Sequence, residues 1–304
     1  MPWFHSRPEE DRLTRMPSAP LRALLAGSID YAGLFPPAAL PVDAVCANYV
    51  AASTSADSWA LGRLVVPAAR LREVAALLPP ADKPWRVAAL IGDDLVRDAA
   101  TIREMNTAGV LAIDAAELRT PTIDAIERAA RALGGACALY AEIPLVDDPA
   151  SLLDAIASVG ARAKMRTGGL TPDAFPTSTQ VARFIRQCSA RALAFKATAG
   201  LHHPLRGTYR LTYDANAACG TMFGFLNLFV AAALARVNDA EAILVSLLEE
   251  RDGAALQFDT DGIRWRGHFL STDEIAAARD TLAISFGSCS FREPLDDLHH
   301  LGLL

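Results

Sequence analysis

The segment Ala161-Arg-Ala-Lys-Met-Arg-Thr-Gly-Gly169, followed after a helical interval by Ala194-Phe-Lys-Ala-Thr-Ala-Gly-Leu-His-His-Pro204, decides the fold. Each half emerges from apolar sequence, carries one lysine and breaks into glycine, which is how a barrel strand delivers a residue to a catalytic rim. Lys164 and Lys196 are therefore expected to be neighbours at the ends of successive strands. Burying an ammonium group without a partner is costly, so two lysines in such positions point to chemistry rather than packing.

Working outward, the same strand-then-helix unit recurs along the chain. SIDYAGLF (28–35), LGRLVVPA (61–68), WRVAALIG (85–92), VLAIDAAEL (110–118) and CALYAEIPL (137–145) read as strands one to five. Amphipathic helices separate them, and the two lysine segments supply strands six and seven. Strands alternating with helices at this spacing imply a parallel sheet with right-handed crossovers. Seven such units favour a closed (β/α)8 TIM barrel over an open sheet. AISFGSCSF (283–291) is then the eighth strand with its loop.

Between strands seven and eight, residues 201–271 break the regularity. They contain a loop, an apolar helix over 221–236, a second helix in DAEAILVSLLEE, and a small hairpin turning at Asp259 to Gly262. The expected organisation is a polar, proline-punctuated tail or strap over residues 1–20. Residues 21–304 then form one barrel domain with segment 201–271 inserted on the catalytic face as a lid, pocket wall or oligomer contact.

Composition narrows the function. The chain has 304 residues, 52% of them hydrophobic and 21% charged, enough for a large globular core. The net charge of -6 gives no electrostatic support to a nucleic-acid or anionic-membrane partner, though a local basic pocket can still take a small anion. Five scattered cysteines with no C-x-x-C pair fit reduced thiols, and the charged N-terminal stretch lacks the apolar core of a secretory signal, so a cytoplasmic location is expected. The most apolar run, Met222 to Ala235, contains Asn227 and falls short of the roughly 20 residues of a membrane span. It reads as a buried helix or as a helix at the interface of a homo-oligomer.

With these units laid out, the chain resembles the deoxyribose-phosphate aldolase family, Schiff-base (β/α)8 barrels. SIDYAGLFPPAA resembles the opening I-D-H-T-L-L segment with Asp30 at the aspartate, and Gly109-Val-Leu-Ala-Ile-Asp114 resembles the G-A-x-E-V-D strand that carries the proton-relay acid. YAEIPL resembles the fifth strand with its glutamate at Glu142. GARAKMRTGG resembles the strand bearing the imine-forming lysine, at Lys164, and FKATAGLH resembles the K-A-S-G-G-I-R strand, at Lys196. FGSCSF resembles the G-T-S-S phosphate loop at Gly287, Ser288 and Ser290. Tyr31 and Ala32, Met165 and Arg166, and the run Leu201-His-His-Pro204 depart from the family pattern.

The resemblance implies a class I, metal-independent lyase needing no cofactor and acting on a small carbonyl compound. Lys164 is its nucleophile, Lys196 tunes that amine, and Asp114 moves protons. A second cation nearby depresses an amine's pKa, as burial does. Both lysines salt-bridged to Asp114 and Glu142 is the structural alternative. Asp30 and Glu142 are candidates to orient substrate hydroxyls or the lysines. Arg166 shares the face of Lys164 by period-2 alternation and can hold a carboxylate or phosphate. His202 is the better placed of two loop histidines for acid–base work. Two other readings stay open. One is a metal-dependent lyase or hydrolase using His202, His203, Glu142 and an aspartate; the other is a silent barrel that binds a small anionic metabolite. Cys289 reads as an inert small core residue, with no histidine near it in sequence.

Overall fold

The computed structural model describes residues 16–120, 122–146 and 148–304. Of the expected tail, residues 1–15 lie outside the described residues, and the rest leads into α1 (Ala19–Leu25), capped by the Ser18 hydroxyl. Six strand-and-helix pairs follow. They are β1 (Ile29–Tyr31) with α2 (Val42–Ser53), β2 (Leu61–Pro67) with α3 (Leu71–Leu77), and β3 (Trp85–Leu90) with α4 (Leu95–Ala108). Next come β4 (Leu111–Arg119) with α5 (Ile123–Leu133), β5 (Ala138–Glu142) with α6 (Ala150–Ser158), and β6 (Arg162–Arg166) with α7 (Ser178–Ala190). Local chemistry fixes the helix ends. Asp94 and Thr122 cap α4 and α5, and Thr177 with Gln180 forms a reciprocal capping box on α7.

After β7 (Phe195–Thr198) the chain forms a hairpin, β8 (Gly207–Arg210) and β9 (Cys219–Met222), and then α8 (Phe225–Leu234) and α9 (Glu241–Leu248). A three-stranded antiparallel sheet follows, β10 (Leu256–Phe258), β11 (Gly262–Trp265) and β12 (His268–Ser271). The capping-box helix α10 (Thr272–Thr281), β13 (Ala283–Ser288) and α11 (Arg292–His300) complete the described chain. β13 pairs in parallel with both β1 and β7, which closes an eight-stranded barrel in the order β1-β13-β7-β6-β5-β4-β3-β2. The (β/α)8 expectation holds.

Segment 201–271 is more than an elaboration. Every residue of α8 is buried, and the helix packs against α7, α9 and α10, so it continues the outer ring between β7 and β13. Asn227 is tolerated there because its amide donates to the carbonyls of Leu247 and Glu250 and accepts from the Arg206 N–H. The expected hairpin at Asp259 to Gly262 gains a third strand. Arg266 turns the chain at φ 49°, and an arginine in the left-handed region gives no turn signal in sequence. No helix among the described residues is long and apolar enough to cross a membrane.

The main core lies between the strands and the helix ring. Inside the barrel, Val65, Ala88, Ala115 and Tyr140 form a separate small cluster. The fully buried Tyr140 ring fills this space, and its hydroxyl accepts from Arg162 at 2.8 Å. Above that plug stands the ionic layer.

Candidate active site

Lys164 of β6 and Lys196 of β7 are register partners, both pointing into the barrel and both buried. Glu117, near the C-terminal end of β4, joins them. Its Oε2 lies 2.7 Å from Lys164 Nζ and its Oε1 2.6 Å from Lys196 Nζ. Lys196 also reaches Asp30 Oδ2 at 2.6 Å, and Lys164 reaches Glu142 Oε2 at 2.8 Å. Arg166 Nε donates to the remaining Glu142 oxygen at 3.0 Å. The result is an alternating chain, Asp30, Lys196, Glu117, Lys164, Glu142, Arg166, whose three carboxylates balance three cations. Alternation satisfies the demand that buried charges be paired.

Asp30 is held from two further directions. It accepts from the Arg63 backbone N–H at 2.8 Å and from the Ser285 hydroxyl at 2.7 Å, besides Lys196. Gly62 makes room for this carboxylate, since a Cβ there would stand 2.4 Å from Asp30 Oδ1. Burial alone disfavours the Lys196 ammonium, but Asp30 and then Glu117 more than offset it and raise its pKa. Burial likewise opposes the Glu117 carboxylate, and the charges of Lys164 and Lys196 overcome it, taking its pKa down to about 2. Lys196 and Glu117 therefore stay ionised across the physiological range.

These groups form the floor of a cavity of about 350 Å³ at the C-terminal mouth of the barrel. One wall is cationic, with Arg119 and Arg166; the opposite wall is apolar, with Phe35, Pro37, Leu211 and Met222. Leu211 follows β8 and Met222 ends β9, so the insertion supplies part of the pocket wall. The Arg119 side chain, 3.9 Å from Glu142 Oε1, is 81% exposed and that of Arg166 45%, so both can reach an incoming anion.

The expected site residues divide into two groups. Lys164, Lys196, Glu142, Arg166, His202 and Gly287 line the cavity, and Asp30 braces it from behind. Asp114 is not among the residues that line the cavity. It falls at a bulge where β4 loses register with β3, and its carboxylate pairs with Arg63 and, at 3.0 Å, with Arg86. Glu117 takes the position among the lysines that Asp114 was expected to hold. Ser288 and Ser290 do not line the cavity. The Ser288 hydroxyl lies 3.5 Å from His202 Nδ1 and accepts from the Ser290 N–H, and the Ser290 hydroxyl accepts from the Glu293 N–H, so both organise the turn into α11.

His203 turns away from the lysines. It stacks on Tyr209 at 3.6 Å and bonds to Asp297 at 2.6 Å. Glu142 and Asp30, the other members of the expected metal set, are taken up by Lys164, Arg166 and Lys196, and no group of three or more His, Cys, Asp or Glu among the described residues is arranged to hold a metal ion. The inert reading of Cys289 also changes, because the fold brings His202 from the loop after β7 to 3.8 Å from its sulfur.

The geometry defines a (β/α)8 barrel with two buried lysines sharing one carboxylate beneath an open mouth. A scan against protein-family models gives no match to this chain, and a search of curated proteins gives none either.

Proposed function

We propose that this cavity is the active site of a class I, Schiff-base aldolase or related lyase acting on a small carbonyl compound with an anionic group, as the motif resemblance to deoxyribose-phosphate aldolases implies. The observation that carries the reading is the unequal sharing of the two lysines. Lys196 is locked as an ammonium between Asp30 and Glu117, whereas the second partner of Lys164, Glu142, is itself divided with Arg166. A substrate anion that draws Arg166 toward it frees Glu142 to take the Lys164 proton. The neutral amine is the nucleophile that imine chemistry requires.

The steps then balance. The Lys164 amine adds to the carbonyl carbon, the oxygen is protonated and leaves as water, and an iminium remains. Cleavage of the neighbouring carbon–carbon bond sends its electron pair into the iminium while a base takes the β-hydroxyl proton. Protonation of the enamine and hydrolysis release the second fragment and restore Lys164. Glu142, within reach of that nitrogen, serves as the proton carrier while Glu117 stays ionised between the lysines, and the fixed Lys196 charge lies next to the developing iminium and favours its collapse. Arg119 and Arg166 hold the anionic end of the substrate.

Borohydride reduction in the presence of small aldehydes, ketones and 2-oxo acids tests this assignment. A stable adduct on Lys164 supports it; adducts nowhere, in folded protein, refute it.

A further inference from the structure

The imine chemistry leaves unused a nucleophile in the opposite wall of the same cavity. Cys289 directly follows β13 and His202 lies four residues past β7; both line the cavity, and each is less than 10% exposed. The Cys289 sulfur is 3.8 Å from His202 Nδ1 and 3.4 Å from the Tyr213 hydroxyl. The same imidazole nitrogen is 3.3 Å from Glu293 Oε2, to which Tyr213 also donates at 3.2 Å. A thiol, an imidazole, a phenol and a carboxylate thus converge on one spot, assembled from three separate loops and the first turn of α11.

The electrostatics agree with the geometry. Burial favours a neutral thiol, but the hydrogen bond and charge of His202, helped by Tyr213, lower the Cys289 pKa. Burial also opposes charge on His202, and the contacts to Cys289 and Glu293 overcome it, raising its pKa to about 9. Because the thiolate and not the thiol is nucleophilic, the pair is set for covalent chemistry. Glu293 beside it repels anions, and Pro37, Leu211 and Met222 make the surrounding wall apolar.

We propose that Cys289 and His202 form a second covalent site in this cavity, which takes a small uncharged aldehyde as a hemithioacetal; this rests on the cavity being a carbonyl site. The sulfur forms a bond to the carbonyl carbon, the carbonyl π pair becomes an alkoxide, and His202 delivers the proton to it. Thiol and aldehyde combine into one adduct, with no redox partner and no leaving group. The cavity is divided accordingly: anionic fragments belong at Arg119 and Arg166, and uncharged aldehyde belongs at Cys289.

The test is alkylation by iodoacetamide with peptide mass mapping, using the exposed Cys219 of β9 as internal reference. Cys289 is expected to react at least ten times faster than Cys219 with iodoacetamide, to lose that advantage with the anionic iodoacetate, and to be protected by propanal. Protection must persist in Lys164→Arg, where no imine can form. [1-13C]Propanal with the unmodified protein gives a second readout, a hemithioacetal carbon signal that disappears in Cys289→Ser. Alkylation of Cys289 no faster than Cys219, protection that vanishes with Lys164, or the absence of a Cys289-dependent carbon signal overturns the proposal. Imine trapping on Lys164 is read separately, so either site can fail without the other.

Discussion

Lys164 and Lys196 face each other in register on β6 and β7 and share one carboxylate, with Glu117 reaching each at 2.7 Å or less. Two ammonium groups side by side inside a barrel are tolerable because that carboxylate lies between them and Asp30 and Glu142 flank them. Function and stability therefore meet at Glu117.

Glu117→Gln leaves two buried cations short of one counter-charge, and breaking a buried pair in this way costs about 3–5 kcal/mol. Denaturant unfolding at pH 7 is expected to show that loss of stability with little change in the denaturant dependence. A loss below 1 kcal/mol means that the lysines find other partners or lose their charge.

The same variant isolates a pH dependence. The folded pKa of Glu117, about 2, lies below its ordinary value of 4.5, so its contribution is present above 4.5 and is lost as pH falls toward 2. The stability gap between the wild type and Glu117→Gln is expected to be constant from pH 5 to 7 and to narrow below about 4.5. A gap that widens on acidification contradicts the assigned charge.

Period-2 alternation made the barrel and the paired lysines legible, because strand ends that carry polar residues after apolar runs are local features. The choice between Asp114 and Glu117 was legible in part. Three residues apart, they cannot share a face of a regular strand, and Glu117 lies nearer the C-terminal end, where barrel sites form. The motif match favoured Asp114, and the bulge that removes it from the site leaves no mark in sequence. The meeting of Cys289 with His202, 87 residues apart, depends on barrel closure and so was hidden from any local reading. The ring role of α8 was obscured by the hairpin and sheet on either side of it.

Arg166→Ala and Arg119→Ala each remove a cation from the cavity wall. Hydrogen bonds to charged groups contribute about 1.5–3 kcal/mol, so KM for an anionic carbonyl substrate is expected to rise roughly 10- to 100-fold. KM for an uncharged analogue is expected to stay unchanged. Equal effects on both substrates would remove the two arginines from anion recognition.

Gly62→Ala places a methyl group 2.4 Å from Asp30 Oδ1 and 3.0 Å from the Gly27 carbonyl oxygen. Backbone hems in one side, so Asp30 must shift and loosen its hold on Lys196. A lowered Tm, together with a smaller loss of stability as pH rises above the ordinary lysine value of 10.5, is expected, because Lys196 would lose part of its raised pKa. A Tm equal to that of the wild type would mean that Asp30 is less firmly held than its three contacts imply.

Borohydride trapping with a panel of aldehydes, ketones and 2-oxo acids, followed by mass mapping of the peptide spanning residues 162–166, tests the central claim most directly. The account predicts a reduced adduct on Lys164, none on Lys196, and loss of the adduct in Lys164→Arg. An adduct on Lys196 instead, or none on either lysine in folded protein, would contradict it.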